Sequence, residues 1–480
     1  MVTFILYPVY GIIKNKKNQP AGDIMPDSIK NIKAKNKLGL IFFPAFDWAI
    51  SPTHPEREER LLYTRDQVFE EGLMDIDGIK EFNPGIAEEK DVQKVHICVP
   101  EVKKVTTPSH LISAGGAIKA AGLVLNKEVD KAFAIVRPPG HHAFRVVHGA
   151  RGFCNINNEA IMVEAIRSKY PDLKIAFVDT DAHHADGTQE IFYHDPHVLH
   201  ISLHQNGRTL FPGSGFTNEV GGPGAYARTL NIPLPPYTTD EGLHYVLDNL
   251  VLPVLEDFKP DLIINAAGQD NHYSDPLTNM KISARGYAEL NARLNPDIAI
   301  LQGGYSIESA LPYINVGLIL AMAGLDYSNV REPDFDSRNL TQDPVITDNI
   351  KNTVAVLREI WENRNNQAPV PDTGEFTIKN NFYEREKHIF YDTDGINELQ
   401  RERVKACPDC PGYIIIDSRA EKGFRNTRIK AISIPLKACK NCHEEAHLKF
   451  EEAKKEAGNK YDYLYLQDVK GEEFVTYPSP

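Results

Sequence analysis

The segment 177–187 holds the residue types with the clearest capacity for chemistry. A β-branched and apolar run, 174–178, predicts a buried strand that ends directly in ionisable groups. These groups are Asp179, Asp181, His183, His184 and Asp186. Buried strands have no structural reason to end in this way, because unpaired buried charge is costly. Asp181 and His183 can reach one metal ion, and mixed carboxylate and imidazole ligation suits zinc or iron(II). The segment therefore predicts a metal site, with a solvated polar loop as the alternative.

Strands and helices alternate regularly around this segment. Strand-like runs occupy residues 38–43, 132–136, 174–178, 198–203, 261–266 and 297–301. Helical patterns separate most of these runs, which predicts βαβ units and a mostly parallel sheet. In open sheets of this kind, ligands bind beyond the carboxyl ends of the strands.

Four polar clusters follow four of these strands. His141 and His142 follow the run 132–136, and the aspartates and histidines of 179–186 follow the run 174–178. Asp270 follows the run 261–266, and Tyr305 comes soon after the last run. Since parallel strands present their carboxyl ends at one edge, the four clusters are expected to meet there as an active site.

The cluster contains the parts of a hydrolytic metal centre. Asp181, His183 and Asp270 would supply three ligands and leave a coordination position for water and substrate, as in catalytic zinc sites. The metal would polarise a carbonyl and lower the pKa of bound water. Of His141 and His142, one could act as general base and the other could assist it or protonate a leaving amine.

Three further residues complete the predicted site. Asp179 and Asp186 could orient the two imidazoles through their other ring nitrogens. Tyr305, which follows two glycines, could donate a hydrogen bond to a developing oxyanion. Together these parts predict metal-assisted hydrolysis of an amide.

The ordered motifs of roughly residues 38–365 resemble those of the histone deacetylase superfamily, which includes acetylpolyamine amidohydrolases and bacterial acetoin-utilisation type proteins. The motifs are Arg137-Pro138-Pro139-Gly140-His141-His142-Ala143, Gly152-Phe153-Cys154, the segment 178–187, Ser202-Leu203-His204, Phe211-Pro212-Gly213-Ser214-Gly215 and Gly303-Gly304-Tyr305. The resemblance implies a three-layer α/β/α arginase/deacetylase fold around a mostly parallel eight-stranded sheet. It also implies Asp181, His183 and Asp270 as zinc ligands.

The resemblance assigns further roles. It implies His141 and His142 as the catalytic pair, with Asp179 behind His141 and Asp186 behind His142, and Tyr305 as the residue that polarises the carbonyl. Phe153 and Phe211 would wall a narrow tunnel for the acylated aliphatic chain, and Gly152 would contribute a backbone carbonyl. The family also binds K⁺ or Na⁺. A first monovalent site would use Asp179, Asp181, His183, Ser202 and Leu203, and a second would use Phe192, Asp195 and Val198.

Three residues depart from the family pattern or modify it. Gln269 stands where relatives usually carry an apolar residue. His272 lies in a segment that resembles the bacterial form of the motif. It could orient a metal ligand or line the pocket, and a structural role is the favoured interpretation. Arg208 puts a cation near the expected tunnel mouth, which argues against easy acceptance of a positively charged substrate.

Two C-x-x-C pairs mark a separate C-terminal unit. Cys407, Cys410, Cys439 and Cys442 bracket strand-like runs at 413–416 and 429–434, a pattern that looks like a zinc ribbon with a structural zinc ion. The 28 residues between Cys410 and Cys439 exceed the common spacing, and a long hairpin loop around 421–426 would absorb the excess. A redox C-x-x-C would require a thioredoxin-like βαβ context, which this part of the sequence lacks. His443 and His447 are alternative ligands.

These patterns divide the chain into four parts. We predict an N-terminal extension (1–37), a deacetylase-like catalytic domain (38–365), a linker (366–400) and a zinc-ribbon-like domain (401–480). The net charge of −13 argues against general nucleic-acid binding, and no apolar run is long enough to cross a bilayer. We therefore expect a cytoplasmic protein without membrane partners. The sequence is also compatible with a homo-oligomer.

The sequence favours a zinc-dependent hydrolase that removes an acyl group from an amine such as acetyl-lysine or an acetylpolyamine. Acetyl is the favoured acyl group. Iron(II) is an alternative catalytic metal. A dinuclear-metal ureohydrolase of arginase type would need a further carboxylate at position 272, where His272 stands. A non-catalytic acyl-lysine binding protein would be expected to show a damaged ligand set or to lack the tyrosine.

Overall fold

The computed structural model describes residues 32–333, 335–365, 375–456, 458 and 460–479. Most of the predicted N-terminal extension, residues 1–31, lies outside the described residues. The first strand begins at Lys33, inside the predicted extension, and runs to Phe43.

A parallel eight-stranded sheet forms the centre of the first domain, as predicted. The strands up to residue 301 are β1 (Lys33–Phe43), β2 (Asp77–Phe82), β3 (Ile97–Cys98), β4 (Lys131–Val136), β5 (Val146–Val147), β6 (Ile175–Asp179), β7 (Val198–Gln205), β8 (Thr229–Leu234), β9 (Leu262–Ala267) and β10 (Ile298–Leu301). The order in the sheet is β2-β1-β4-β10-β9-β6-β7-β8, and every neighbouring pair is parallel. The short strands β3 and β5 pair separately.

Helices cover both faces of this sheet. They are α1 (Glu59–Glu70), α2 (Glu89–Gln93), α3 (Val102–Val105), α4 (Pro108–Leu125), α5 (Asn158–Arg167), α6 (Asp186–Phe192), α7 (Asp240–Val246), α8 (Leu252–Phe258), α9 (Ala284–Leu294), α10 (Ala310–Met322) and α11 (Pro344–Glu362). A π-helical turn, Leu247–Val251, joins α7 to α8.

Alternate residues of the central strands enter different cores. Ile175 and Phe177 pack with α4 and α5 on one face, whereas Ala176 and Val178 pack with α7, α8, α9 and α11 on the other. A strand that is buried on both faces reads as a continuous apolar run, which is why these strands could be recognised in the sequence. The result is the three-layer α/β/α architecture.

The C-terminal unit is a mostly antiparallel sheet with one helix. Its strands are β11 (Thr377–Lys379), β12 (Phe382–Tyr391), β13 (Ile396–Lys405), β14 (Ile414–Lys422), β15 (Arg425–Ile434), β16 (Tyr463–Asp468) and β17 (Glu473–Tyr477), and its helix is α12 (Lys440–Glu456). Neighbours in the sheet follow chain order, and only the β15–β16 pair is parallel, because α12 crosses over between these strands. The predicted hairpin between the C-x-x-C pairs is the β14–β15 hairpin, but the long loop expected around 421–426 was wrong. Glu421 pairs with Asn426 and Lys422 pairs with Arg425, so long strands, and not a long loop, absorb the wide cysteine spacing.

The predicted boundary of this unit was wrong. Residues 377–400, which we expected in a linker, form β11, β12 and the first half of β13. The buried face of β13 explains the error, because it carries Glu398, Gln400 and Glu402 at alternate positions. Polar residues at buried positions hide the apolar alternation that normally identifies a strand. The C-terminal sheet is therefore larger than the ribbon inferred from the cysteines.

The C-terminal sheet packs closely on the first domain. Apolar contacts join β3 and β5 to the sheet in one buried cluster that includes Val146, Ile416 and Tyr465. Buried polar pairs add to it: His194 Nε2 lies 3.1 Å from Glu402 Oε1, and the Tyr391 hydroxyl donates a hydrogen bond to the Val146 carbonyl over 3.0 Å. Paired buried polar groups fix one relative placement of the two units, because an unpaired partner would be costly.

In the part of the chain that the structure describes, no helix is long and apolar enough to span a membrane.

Candidate active site

The predicted site residues meet beyond the carboxyl ends of four adjacent strands of the parallel sheet. The histidine pair follows β4, the aspartate-rich segment follows β6, Asp270 follows β9 and Tyr305 follows β10. These strands are neighbours in the order β4-β10-β9-β6. Four segments that are distant in sequence therefore deliver their polar groups to one place.

Asp181, His183 and Asp270 form a compact cluster of potential metal ligands. One donor atom from each residue lies within 4.8 Å of the others. His183 Nδ1 lies 3.1 Å from Asp181 Oδ1 and 2.9 Å from Asp270 Oδ2. The two carboxylates are fully buried, whereas the imidazole keeps a small exposed fraction of 13%. The cluster is thus closed on the protein side and accessible on one side.

The backbone fixes the orientation of the two carboxylates. The Gly303 N–H donates to Asp181 Oδ2 over 2.8 Å, and the Ala182 N–H donates to Asp270 Oδ1 over 2.7 Å. Gly303 and Gly268 also make room for the carboxylates. A Cβ atom at Gly268 would lie 2.2 Å from Asp181 Oδ2, and one at Gly303 would lie 2.5 Å from Asp270 Oδ2. Side chains at either position would displace the ligands.

This donor set fits a divalent metal ion. Burial, followed by the charge of Asp181, raises the pKa of Asp270 to about 6, because two buried carboxylates repel each other. A cation between the carboxylates would relieve that repulsion. Two carboxylate oxygens and one imidazole nitrogen, with a free direction, match the three-ligand pattern of catalytic sites.

The histidine pair lies beside this cluster, and each imidazole has its own carboxylate. His141 Nδ1 lies 3.1 Å from Asp179 Oδ2, and His142 Nδ1 lies 2.8 Å from Asp186 Oδ1. His141 Nε2 is 3.9 Å from Asp181 Oδ2, so this imidazole borders the candidate metal centre. The carboxylates therefore orient the second nitrogen of each ring towards the reaction site.

The two imidazoles differ in proton affinity. Burial disfavours protonation of His141, yet the charges of Asp181 and Asp179 outweigh burial and raise the pKa of His141 to about 9. Burial, followed by the positive charges of His141 and Arg151, lowers the pKa of His142 well below its usual value. The pair thus combines one protonated and one neutral ring.

Arg151 is a neighbour of the pair that sequence reasoning missed. Its Nη1 lies 2.5 Å from Asp186 Oδ2, on the opposite side of the carboxylate from His142. Its guanidinium also lies over the rings of Phe144 and Phe211, about 5 Å from each centroid. In the sequence, the only indication of the contact with Asp186 is the position of the Arg151 cation next to Gly152.

Tyr305 lies on the other side of the cluster. Its N–H donates to Asp275 Oδ2 over 2.7 Å, and Gly304 before it adopts a positive φ of 125°. Burial raises the pKa of Tyr305 well above its ordinary value, so the phenol stays protonated and can donate a hydrogen bond. Asp275, which stands directly before Pro276 in the sequence, is therefore a support for this tyrosine.

A buried arginine network holds the Tyr305 loop from below. Arg60 donates to the carbonyl oxygens of Gly304 and Gln302 over 2.7 and 2.5 Å, and it pairs with Glu56. The other oxygen of Glu56 accepts a hydrogen bond from Arg137 Nε over 2.6 Å. Arg60 stands in the first turn of α1, where the sequence pattern alone is equally typical of a solvated helix face. The structure shows it fully buried between the start of α1 and the active-site loop.

Aromatic rings surround the accessible side of the site. Phe153 makes an edge-to-face contact with Tyr305, with ring centroids 5.9 Å apart, and Phe211 makes one with His142 at 5.2 Å. Gly152, between Arg151 and Phe153, has a positive φ of 52°, and a Cβ atom there would lie 2.3 Å from His142 Cδ2. The structure thus brings all three predicted tunnel residues to the site.

The C-terminal sheet reaches the loop that carries these residues. The N–H of Gly152 donates to Asp392 Oδ1 over 2.8 Å, and the N–H of Ala150 donates to Asp394 Oδ2 over 2.7 Å. Both aspartates lie in the turn between β12 and β13. This turn therefore backs the loop 148–153 from outside the catalytic domain.

The residues predicted to bind monovalent cations are placed along β6 and β7. Asp179 pairs with Ser202 in the register of these strands, and Asp181 and His183 follow in the adjoining loop. Leu203 comes next on β7. At the second predicted position, the Asp195 carboxylate accepts a hydrogen bond from Arg167 Nη1 over 2.6 Å.

The three residues that depart from the family pattern or modify it have identifiable neighbours in the structure. His272 Nε2 lies 3.1 Å from Glu332 Oε1, and both side chains are buried, as expected for a structural histidine. Gln269 is buried and donates to Asn315 Oδ1 over 3.2 Å, which explains how a polar side chain is accommodated there. Arg208 is exposed and lies 6.0 Å from the Phe216 ring centroid.

The four C-terminal cysteines converge on one point. Cys407 and Cys410 lie between β13 and β14, whereas Cys439 and Cys442 lie at the start of α12, and the four Sγ atoms fall within 4.8 Å of one another. The N–H groups of Gly412 and Cys442 donate to Cys410 Sγ and Cys439 Sγ over 3.3 and 3.4 Å. The Cys442 N–H lowers the pKa of Cys439 to about 7, whereas burial raises the pKa of Cys410 and Cys442, so the cluster favours the thiolate form at Cys439. The cluster can bind a metal ion and fits a zinc-ribbon ligand set.

Comparisons with known proteins show similarity to deacetylases. A family profile described as "Histone deacetylase domain" matches residues 86–315. The chain is 48% identical over 311 residues to a "Probable deacetylase" of Archaeoglobus fulgidus, a match that covers 59% of this chain and 85% of that protein. It is 33% identical over 276 residues to the "Acetoin utilization protein AcuC" of Bacillus subtilis, with 55% of this chain and 68% of that protein covered.

Two further comparisons concern a bacterial amidohydrolase and a solved structure. A "Histone deacetylase-like amidohydrolase" of Pseudomonas aeruginosa is 35% identical over 240 residues, which cover 48% of this chain and 62% of that protein. Among solved structures, the HDA15 HD domain superposes with a TM-score of 0.59 at 25% identity, covering 68% of this chain and 95% of that one. The family profile ends before the C-terminal sheet begins.

Proposed function

Because the chain belongs to the histone deacetylase family and is a hydrolase that acts on amide bonds, we propose that it removes an acetyl group from an amine such as the acetyl-lysine side chain or an acetylpolyamine. The observation that carries the proposal is the convergence of the Asp181–His183–Asp270 cluster with two imidazoles that each have a carboxylate partner. Metal-assisted hydrolysis of an amide uses a metal position, a base and an acid close together, and this arrangement supplies candidates for all three.

The metal cluster would hold Zn²⁺, with Fe²⁺ as the alternative. A metal ion bound by Asp181, His183 and Asp270 would polarise the scissile carbonyl and acidify a water molecule. His142, which is neutral because its pKa is lowered, accepts the proton of the attacking water while Asp186 orients its ring. His141, whose protonated form is favoured by the neighbouring Asp179 carboxylate, holds a proton for the leaving amine while Asp179 orients its ring.

Tyr305 would stabilise the tetrahedral intermediate. Its phenol remains protonated and donates a hydrogen bond to the oxygen on which negative charge develops. Arg60 holds the backbone of this loop and Asp275 accepts its N–H, so the tyrosine does not need to reorganise during the reaction. Fixed donors of this kind contribute a large part of catalysis, since removal of one oxyanion donor typically costs about 10²–10³ in kcat.

The aromatic walls favour a narrow, linear substrate. Phe153 contacts Tyr305 on one side, and Phe211 contacts His142 on the other. We propose that an acylated aliphatic chain passes between these rings, with Gly152 contributing its carbonyl. This shape suits the acyl-lysine side chain and acylated polyamines alike.

Two further ion sites belong to the proposal. Cys407, Cys410, Cys439 and Cys442 would hold a structural Zn²⁺, because four thiolates leave no open coordination position. Backbone N–H groups fix two of the sulfur atoms, those of Cys410 and Cys439. A K⁺ or Na⁺ ion would be held next to the metal centre by Asp179, Asp181, His183, Ser202 and Leu203. These residues lie at the end of β6, in the loop that follows it and on the adjacent part of β7.

The alternative functions have less support. An arginase-type dinuclear centre needs a bridging carboxylate at position 272, but His272 is buried and pairs with Glu332. A non-catalytic acyl-lysine binding protein would have no need for two buried imidazole–carboxylate pairs beside a complete ligand set. Such pairs carry a burial cost that catalysis explains.

The test is hydrolysis of a panel of amides by zinc-loaded protein. The panel contains acetyl-lysine peptides, longer acyl-lysines and acetylated polyamines, and the variants are Tyr305→Phe and His142→Ala. Tyr237→Phe is the matched control, because Tyr237 is 55% exposed. We expect turnover on at least one amide, a loss of about 10²-fold or more in both active-site variants and no change in the control. Turnover that is absent from all members, or unaffected in both variants, would contradict the proposal.

A further inference from the structure

A second group of metal-ligand side chains lies on α12, next to the cysteine cluster but separate from it. His443 and His447 are one helical turn apart, so both imidazoles leave the same face of the helix. Their ring centroids are 4.7 Å apart. Asp468, at the end of β16, faces both rings. The sequence had suggested the two histidines as alternative ligands of the cysteine site, whereas the structure places them with a different partner.

The three side chains converge on a single point. Asp468 Oδ2 lies 2.7 Å from His443 Nε2 and 3.0 Å from His447 Nε2. The three donor atoms thus lie within 4.8 Å of one another. Two ring nitrogens and one carboxylate oxygen form a ligand set that suits zinc and neighbouring divalent transition metals.

The carboxylate is held in a fixed orientation. Asp468 is only 1% exposed, and its other oxygen accepts a hydrogen bond from the Gly471 N–H over 2.8 Å. Gly471 also leaves the space that the carboxylate occupies, since a Cβ atom there would lie 2.4 Å from Asp468 Oδ2. A ligand that is oriented by a backbone donor is typical of metal sites.

The local charges favour a cation. Within the described residues, the only side chains that form ion-pair contacts with Asp468 are His443 and His447. Lys470, which is close in sequence, donates instead to the Ala438 carbonyl. The two imidazoles are 29% and 31% exposed, so an ion can reach the cluster from solvent.

We propose that His443, His447 and Asp468 form a metal site for Zn²⁺ or a similar divalent transition metal, in addition to the catalytic and cysteine clusters. Three protein ligands leave one position for water, on the exposed side. The site fastens the first turns of α12 to the end of β16, while the cysteines fasten the start of the same helix to the β13–β14 loop. Metal binding therefore locks the crossover helix to the sheet at two adjacent points.

The test is the zinc content of the full-length protein, measured by elemental analysis after equilibration with a small excess of zinc and gel filtration. His447→Gln and Asp468→Asn remove one ligand each. His388→Gln is the matched control, because His388 is an exposed histidine on β12 of the same sheet. We expect both ligand variants to bind one zinc equivalent per chain fewer than the wild type, and the control to bind as much as the wild type.

A second measurement shows that the variants are folded. Cobalt(II) bound by thiolates gives an intense charge-transfer absorption that imidazole and carboxylate ligands do not give, so the cysteine cluster reports its own integrity. We expect this absorption to be unchanged in His447→Gln and Asp468→Asn. Equal zinc content in the wild type and both ligand variants would overturn the proposal, because the three side chains would then form only a hydrogen-bonded group. Loss of the same equivalent in His388→Gln would also overturn it.

Discussion

The backbone N–H of Gly152 donates a hydrogen bond to the Asp392 carboxylate over 2.8 Å. Gly152 lies against the His142 ring, and Asp392 lies in the β12–β13 turn of the C-terminal sheet. The C-terminal sheet is thus only one residue away from His142, one of the two proposed catalytic histidines. A unit outside the match to the family profile therefore supports a wall of the active site.

Removal of this support should lower catalytic efficiency. In Asp392→Ala the Gly152 N–H loses its charged acceptor, so the loop that carries Phe153 becomes less well fixed. A hydrogen bond of this kind contributes about 1 kcal/mol when exposed, which corresponds to a roughly 5-fold loss in kcat/KM. The measurement is steady-state kinetics on the best amide of the panel. Glu386→Ala is the control, since Glu386 is an exposed carboxylate on β12, and an equal loss in both variants would count against this role.

The buried arginine network predicts a large effect on stability. Glu56→Gln leaves Arg60 and Arg137 buried without their shared carboxylate. Breaking a buried ion pair typically costs about 3–5 kcal/mol, because an uncompensated charge remains. Urea unfolding should therefore show a strongly lowered midpoint. Glu58→Gln, two residues away and only half-buried, should change the midpoint little, and a similar midpoint in both variants would show that the network is not needed for stability.

Buried neutral histidines predict a specific pH dependence. Burial lowers the pKa of His110 to about 4, below its ordinary value of 6.5. The unfolded chain therefore takes up a proton first, so the contribution of His110 is complete above pH 6.5 and is lost as the pH falls towards 4. Between pH 7.5 and 5, the wild type should lose about 2 kcal/mol more than His110→Gln.

The wild type must be compared with His110→Gln because buried acids change the free energy of unfolding in the opposite direction as the pH falls. Burial, followed by the charge of Asp179, raises the pKa of Glu159 to about 8, so its contribution grows as the pH falls. The comparison of wild type and variant cancels such groups. Denaturant titrations at the two pH values give the four free energies of unfolding, and parallel losses in both proteins would refute the assignment to His110.

The cysteine cluster predicts a metal-dependent C-terminal unit. Cys410→Ser should lose one zinc equivalent on gel filtration and part of the thiolate charge-transfer absorption of the cobalt protein, because a cluster with three thiolates instead of four binds the ion more weakly. Cys98→Ala is the control, since Cys98 is buried in the first domain, away from the cluster. Elemental analysis and absorption spectra make the comparison, and retention of the full zinc content in Cys410→Ser would exclude the site.

The sequence predicted the parts of this protein that depend on local patterns. Phe177 and Val178 belong to a run that is apolar on both faces, so β6 was recognisable, and Asp181 and His183 stood out because they end a buried strand. The strands β2 and β8 were not predicted, although the family resemblance implied eight strands in total. Parallel pairing then brought the clusters together by geometry alone.

What the sequence did not reveal depends on contacts between distant segments. Arg60 and Asp275 resemble ordinary helix and turn residues, and their roles appear only once the Tyr305 loop lies on top of them. Glu398 and Glu402 made β13 look like a linker because their partners, such as His194, come from elsewhere in the chain. Buried polar pairs carry no local periodicity, so patterns within one segment cannot identify them.

The most direct test of the account is metal-dependent turnover of an acetyl-lysine peptide by the full-length protein. The chelator-treated wild type should be inactive and should regain activity with added zinc, whereas Asp270→Asn, which weakens a ligand of the candidate metal centre, should regain little under the same conditions. Full activity of the chelator-treated protein, or equal recovery of the wild type and Asp270→Asn, would contradict the assignment of Asp181, His183 and Asp270 as the catalytic metal site.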